Sequence, residues 1–298
     1  QFPEEAYDTG FPAPLDRLGD RSLEALAAWE SREDAWLAAL REIDPASLEG
    51  TDAAVPYAFA RERLEAATAR RVCHTELWNV SPTWTSWHNF FPNVFAQQPV
   101  GTELARANAL ARARDVPRFI DTEIANFRRG VELGYTAPRS NVEAVIGQLD
   151  ALLSMPPEQT PWFDPANRDG EAEFSAELRS VVVDEIVPAT RRMRDYLANE
   201  YLREARQTVG VTTDPGGREC YLASVLFHAT LPLTPEEIHA SGRREMERIQ
   251  ADMREIGRRS FGTEDTQQLL EIVRSDSRYS FETPEQIVAF AQAAVDRA

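Results

Sequence analysis

Apolar residues recur every three to four positions through most of this chain, the period of helices that bury one face. Leu26, Trp29, Trp36, Leu40 and Ile43 predict a first helix, with Ser22 as its cap and Asp44-Pro45 as its stop. A second is expected over about residues 52–77. Between Val116 and Val131, the residues Ile120, Ile124, Phe127 and Val131 fall on one side of a third. Ser140 with Glu143 predicts the next start, followed by Val142, Val145, Ile146, Leu149, Leu152 and Leu153 and ended by Met155-Pro156-Pro157. The longest run, about residues 172–207, is expected to kink or break at Pro188. Only residues 208–213 suggest a short strand or an extended turn. The pattern predicts an all-α, elongated, multi-helix domain over residues 1–298, with little or no β structure and no fixed-period repeat.

Residues 79–102 break the pattern. Trp84, Trp87, Phe90, Phe91 and Phe95 occur there with no charged residue between them, and prolines punctuate the stretch. A long aromatic loop of this kind has two readings. It covers the core, or it forms a wall or lid of a substrate cleft, where aromatic rings supply contact area.

The densest local chemistry lies at 215–242. Pro215-Gly216-Gly217 is a turn, because glycine reaches positive φ without a steric cost. A short helix with Tyr221 and His228 follows, then a break at Leu231-Pro232-Leu233. Thr234, Pro235 and Glu237 then spell a capping box with proline at the first helical position. Beyond it, Ile238, Gly242, Ile249, Met253 and Ile256 repeat near a heptad, with Gly242 admitting a close neighbour. Thr283-Pro284-Glu285-Gln286 opens a last helix whose Ile287, Phe290 and Ala294 reach the end of the sequence with no stop signal, so the natural chain is expected to continue.

Taken together, these segments resemble a bacterial family catalogued as domain of unknown function 885. The likeness is carried by 215–242, by GYTAPR at 134–139 with NVEAVIGQLDALL after it, by HTELWNV at 74–80 and AQQPVGT at 96–102. It extends through RFIDTEIANFRRG at 118–130, residues 183–206 and FETPEQIVAFAQAAVDRA at the end. Members of the family look like zinc metallopeptidases of the thermostable-carboxypeptidase and oligoendopeptidase type. The resemblance implies an N-terminal half that forms one side of a cleft, short peptides as substrates and zinc in the full-length protein. The missing C-terminal half would then be the main packing partner.

The zinc-binding residues of such a peptidase would stand in a His-Glu-x-x-His helix, where two imidazoles one turn apart meet the metal and the glutamate serves as base. The four histidines here are His74, His88, His228 and His239, and no two stand four apart. No catalytic residue, metal ligand or cofactor is therefore assigned within this segment. Glu236 and His239 form one Glu-x-x-His, but a di-iron bundle needs two, and first-turn capping explains them more simply. Tyr221, His228, Arg139, Trp84 and Trp87 are the candidates for lining a substrate cleft. His228 either bonds a substrate oxygen or satisfies its own helix end. Arg139 either clamps a carboxylate or ties down the turn at 134–139. A helical, non-catalytic binding or scaffold protein is the alternative to the enzyme.

Composition excludes other classes. All 32 basic residues are arginine, and the net charge of −17 offers no basic stripe for nucleic acid. No apolar run is long enough to span a bilayer. The compartment stays open: cell envelope or secreted if a leader preceded Gln1, otherwise cytoplasmic. Cys73 and Cys220 are expected as two separate buried thiols.

Overall fold

The computed structural model describes Pro3, residues 13–84 and residues 86–297. Among them there is no strand; the one β feature is a single bridge between Pro138 and Arg206. The fold is all-α. Two compact units are distinguished, residues 1–232 and 233–298.

In the first unit, α1 (Leu23–Arg41) and α2 (Ala54–Arg70) form a hairpin, and Ser22 caps α1 by accepting from the Ala25 N–H. The helices α3 (Trp87–Gln97), α4 (Glu103–Leu133), α5 (Arg139–Leu153), α6 (Asp164–Asp169) and α7 (Ala172–Val181) follow. Then come α8 (Val187–Tyr196), the single turn α9 (Leu202–Glu204) and α10 (Gly217–Ala229). The 31-residue α4 is the axis of the unit. Thr102 caps its start, Gly134 ends it at φ 85°, and α7 and α8 pack along it. Its stripe of Val116, Ile120, Ile124 and Phe127 is buried, as the period requires. Trp162 lies at the centre of the core, stacked on Trp87 and edge-on to Phe91 and Phe95.

Several expectations are corrected. Residues 87–97 form a helix rather than a loop, and Pro92 sits inside it: burial of Phe91, Val94 and Phe95 outweighs the missing N–H. Pro188 does not break its run. A π-helical turn at Val182–Ile186 precedes it, and the wider turn accommodates the ring within continuous helix. The cap of α5 is Pro138, so Ser140 lies within the first turn. Residues 211–213 form a 3-10 turn, not a strand.

The two cysteines are not separate thiols. Cys73 and Cys220 are joined in a disulfide with their Cα atoms 4.6 Å apart, fastening α10 to the turn after α2. Chain separation gave no sign of the pairing. Packing of α10 on α2 brings the sulfurs together, with Gly216 at φ 63° turning the chain into α10.

The second unit holds α11 (Pro235–Ile256), α12 (Thr266–Ser275) and α13 (Pro284–Val295). The capping box of Thr234 and Glu237 forms as predicted. Gly242 meets nothing within 4 Å, so it serves no close helix approach. Ile249 and Ile256 on α11 and Ile287 and Phe290 on α13 are exposed.

Candidate functional site

The long helix α4 carries Phe119, Glu123 and Phe127 one turn apart, and therefore on one face. That face borders a cavity of about 370 Å³ within the first unit. From α3 it receives Trp87, His88, Phe90 and Phe91, from α5 Val145, and from α8 and the π turn after it Met193 and Leu197. Asn79, Val80 and Ser81 close another side, and the exposed Asn79 and Trp84 mark its mouth.

Residues 74–81 reach this position because Gly130 of α4 has no side chain. A Cβ there would stand 2.0 Å from the Leu77 carbonyl oxygen. The neighbouring polar wall is also fixed by α4. Its buried Arg112 donates to the Pro14 and Arg17 carbonyls at 2.7 and 3.2 Å, and its Asp115 accepts from the Leu18 N–H at 2.8 Å. Asn126 donates to the Arg21 carbonyl at 2.8 Å. Residues 14–21 are thus laid along α4, which brings Arg21 to the cavity with its guanidinium 5.6 Å from the Phe119 ring centre.

Among the described residues, three ionisable groups face the space. Burial pushes the Glu123 carboxyl up to about 7, with Arg21 pulling the other way. Burial holds the His88 imidazole below its ordinary value, against the hydrogen bond to Gln148. Gln148 donates to the Pro82 carbonyl at 3.0 Å, which can only accept. The Gln148 carbonyl therefore faces His88, and His88 Nε2–H donates to it at 2.8 Å. Ser86 donates its hydroxyl to the Ser81 carbonyl, folding the rim onto α3. At neutral pH the cavity offers aromatic walls, a guanidinium, a neutral imidazole and a carboxyl divided between its two forms. Such a set has the chemistry to suit an amphipathic molecule.

Of the five cleft candidates, Trp84 and Trp87 line this cavity, the first 74% exposed and the second buried. Tyr221 and His228 do not. Both are exposed on α10, with His228 in its last turn beside Phe227. Arg139 donates to the Leu202 carbonyl at 2.8 Å and lies 3.6 Å from Glu143, bracing α5 against α9. The residues missed from sequence are Arg21, His88 and Glu123. Only Glu123 had a legible signal, a carboxylate at helical spacing between two phenylalanines. Among the described residues no group of three or more His, Cys, Asp or Glu is placed to hold a metal ion, so they do not fit a zinc site. No described helix is long and apolar enough to cross a membrane.

The family description "Bacterial protein of unknown function (DUF885)" matches residues 3–298, and the chain belongs to that family. No curated protein matches it. Among solved structures the chain is similar to that of a "putative lipoprotein from Colwellia psychrerythraea", with 16% identity and a TM-score of 0.79. The likeness covers 98% of this chain and 53% of that one, so this chain spans about half the length of the protein it matches. At that identity the likeness concerns the fold.

Proposed function

We propose that this member of the DUF885 family is the substrate-holding helical part of a zinc-dependent peptidase for short peptides, with the metal carried by sequence outside these residues. The observation that supports the reading most is the aromatic cavity, half of whose described lining comes from the segments at 74–80, 118–130, 141–153 and 183–206 that carry the family resemblance. Its size suits one or two amino-acid residues and excludes a folded protein. The described residues offer no metal site, so no hydrolytic step is assigned to them.

The Cys73–Cys220 disulfide favours an oxidising compartment, in keeping with a cell-envelope or secreted protein, and the lipoprotein description of the fold neighbour points the same way. The test is to read the gene beyond Ala298, then measure metal content and di- and tripeptide hydrolysis of the full product. A downstream His-Glu-x-x-His, bound zinc and hydrolysis are expected. A full product without zinc or hydrolysis sinks the peptidase reading. It would favour a second one, a non-catalytic helical binding protein, which a cavity whose described lining falls within residues 21–197 supports.

A further inference from the structure

We propose that the cavity between α3, α4, α5 and α8 is a binding site for an organic cation, an ammonium joined to an aromatic or branched apolar group, with Glu123 as its counter-ion. This rests on the reading of the cavity as the ligand site and deepens it by naming the ligand class. It concerns binding only, and no hydrolytic step is part of it.

The walls suit both halves of such a ligand. About 370 Å³ exceeds one aromatic side chain and leaves room for a short polar group attached to it. Trp84, Trp87, Phe90, Phe91, Phe119 and Phe127 line the space. Aromatic ring faces carry negative potential, so they attract an ammonium stripped of water as well as apolar carbon. Phe91 and Phe119 meet edge to face at 4.9 Å, and Trp87 stacks on Trp162, so these rings are held by packing before any ligand arrives.

Glu123 sets the sign of the charge. It is the one carboxyl among the described lining residues, placed on α4 between Phe119 and Phe127. Burial and the charge of Arg21 act on it, and no hydrogen bond from a described residue satisfies it. An anion is repelled by it once it ionises. A wholly apolar ligand takes its water away and gives no hydrogen bond in return. An ammonium brings N–H donors and a positive charge to a place where water screens little. Arg21 borders the same space, keeps contacts of its own and is assigned no part in holding the ligand. Its charge weakens the attraction for a cation, but at Glu123 its effect is smaller than that of burial. The net charge of −17 adds a weak long-range pull on cations.

The protonation state of Glu123 then controls occupancy. Ionised, it pairs with the cation; protonated, it offers no charge. His88 of α3 faces the space as a neutral imidazole, because burial opposes its charging, and its Nε2–H is given to Gln148. The other charged groups on neighbouring elements are paired away from the cavity. Arg192 of α8 holds Asp121, Arg128 of α4 holds Glu200, Arg194 holds Asp150, Arg118 holds Asp115, and His74 is paired with Glu76. Among the described residues, α5 presents Val145, α8 Met193 and the π turn after it Leu197. Glu123 is therefore the lining group whose charge changes most between about pH 6 and pH 8.

The experiment is titration of the chain with phenethylamine, its neutral analogue N-phenethylacetamide and the anion phenylacetate, by calorimetry and tryptophan fluorescence. At about pH 8 the amine should bind, the amide at least tenfold more weakly and the anion not at all. An alkylammonium of pKa near about 10 stays charged throughout, so a pH dependence belongs to the protein. From about pH 6 to pH 8 the amine should bind up to about tenfold more tightly, following ionisation of Glu123. Glu123→Gln should remove both that dependence and the preference over the amide. Trp84→Ala, at an exposed rim position where folding is not at stake, should weaken binding severalfold. Phenylalanyl-alanine amide, compared at about pH 7, separates two sources of the cation. Binding as tight as that of phenethylamine marks a peptide amino terminus, and much weaker binding marks a small amine; both are the proposed chemistry. Equal binding of amine and amide, tighter binding as pH falls, full affinity in Glu123→Gln, or no binding at millimolar concentration would each overturn the proposal. Binding without hydrolysis leaves it standing and counts only against the peptidase reading.

Discussion

The Asn126 side-chain amide donates to the Arg21 carbonyl oxygen at 2.8 Å, so one buried residue of α4 sets where the cavity's guanidinium begins. Asn126→Ala removes that donor. The expected cost is about 1–2 kcal/mol of stability in chemical denaturation. A variant as stable as the wild type would show that the Arg21 segment is held by other contacts.

Gly130 lets residues 74–81 lie against α4. Gly130→Ala puts a methyl group where the Leu77 carbonyl oxygen stands, 2.0 Å from the new Cβ. Backbone must move, and about 1–3 kcal/mol should be lost. Ala is otherwise the better helix former, so a variant as stable as the wild type in urea would refute the close approach.

The Cys73–Cys220 bond closes a loop across 147 positions. Removing it, by reductant or by Cys73→Ser, should cost about 2–4 kcal/mol. The check is a thermal melt with and without reductant, together with a thiol count on the denatured protein. Two titratable thiols before reduction would contradict the bond.

Glu123 also makes stability depend on pH. Its folded carboxyl titrates at about 7 against an ordinary 4.5, so the folded state holds the extra proton between those values. An acid raised in this way destabilises the folded state once ionised. Its contribution is therefore harmless below about pH 4.5, and stability is lost as pH climbs through about 7. Relative to the wild type, Glu123→Gln should gain melting temperature at pH 8 and gain little at pH 5. The same difference at both pH values would mean that Glu123 titrates as an ordinary surface carboxylate.

Much of the local structure was legible in the chain. The stripe on α4, the Ser22 cap, the Thr234–Glu237 box and the turn at Gly216 follow from period and capping chemistry, which act within a few residues. The aromatic stretch at 79–102 was marked as unusual but misjudged as a loop, because Pro92 argues against helix locally while burial of Phe91 and Phe95 argues for it globally. The break that Pro188 suggests is absent, since a preceding π turn absorbs the ring and no sequence period announces such a turn.

The sequence by itself determined an all-helical chain, its caps at Ser22 and Thr234 and its kinship, since helical spacing and end chemistry depend on neighbours in the chain. Tertiary structure alone decided the cavity and the disulfide. Arg21, His88 and Glu123 stand 67 and 35 positions apart, and Cys73 and Cys220 are 147 apart. Only the packing of helices on α4 and α2 brings them together. Burial then shifts the Glu123 carboxyl, because removing water penalises the ion whatever its place in the chain.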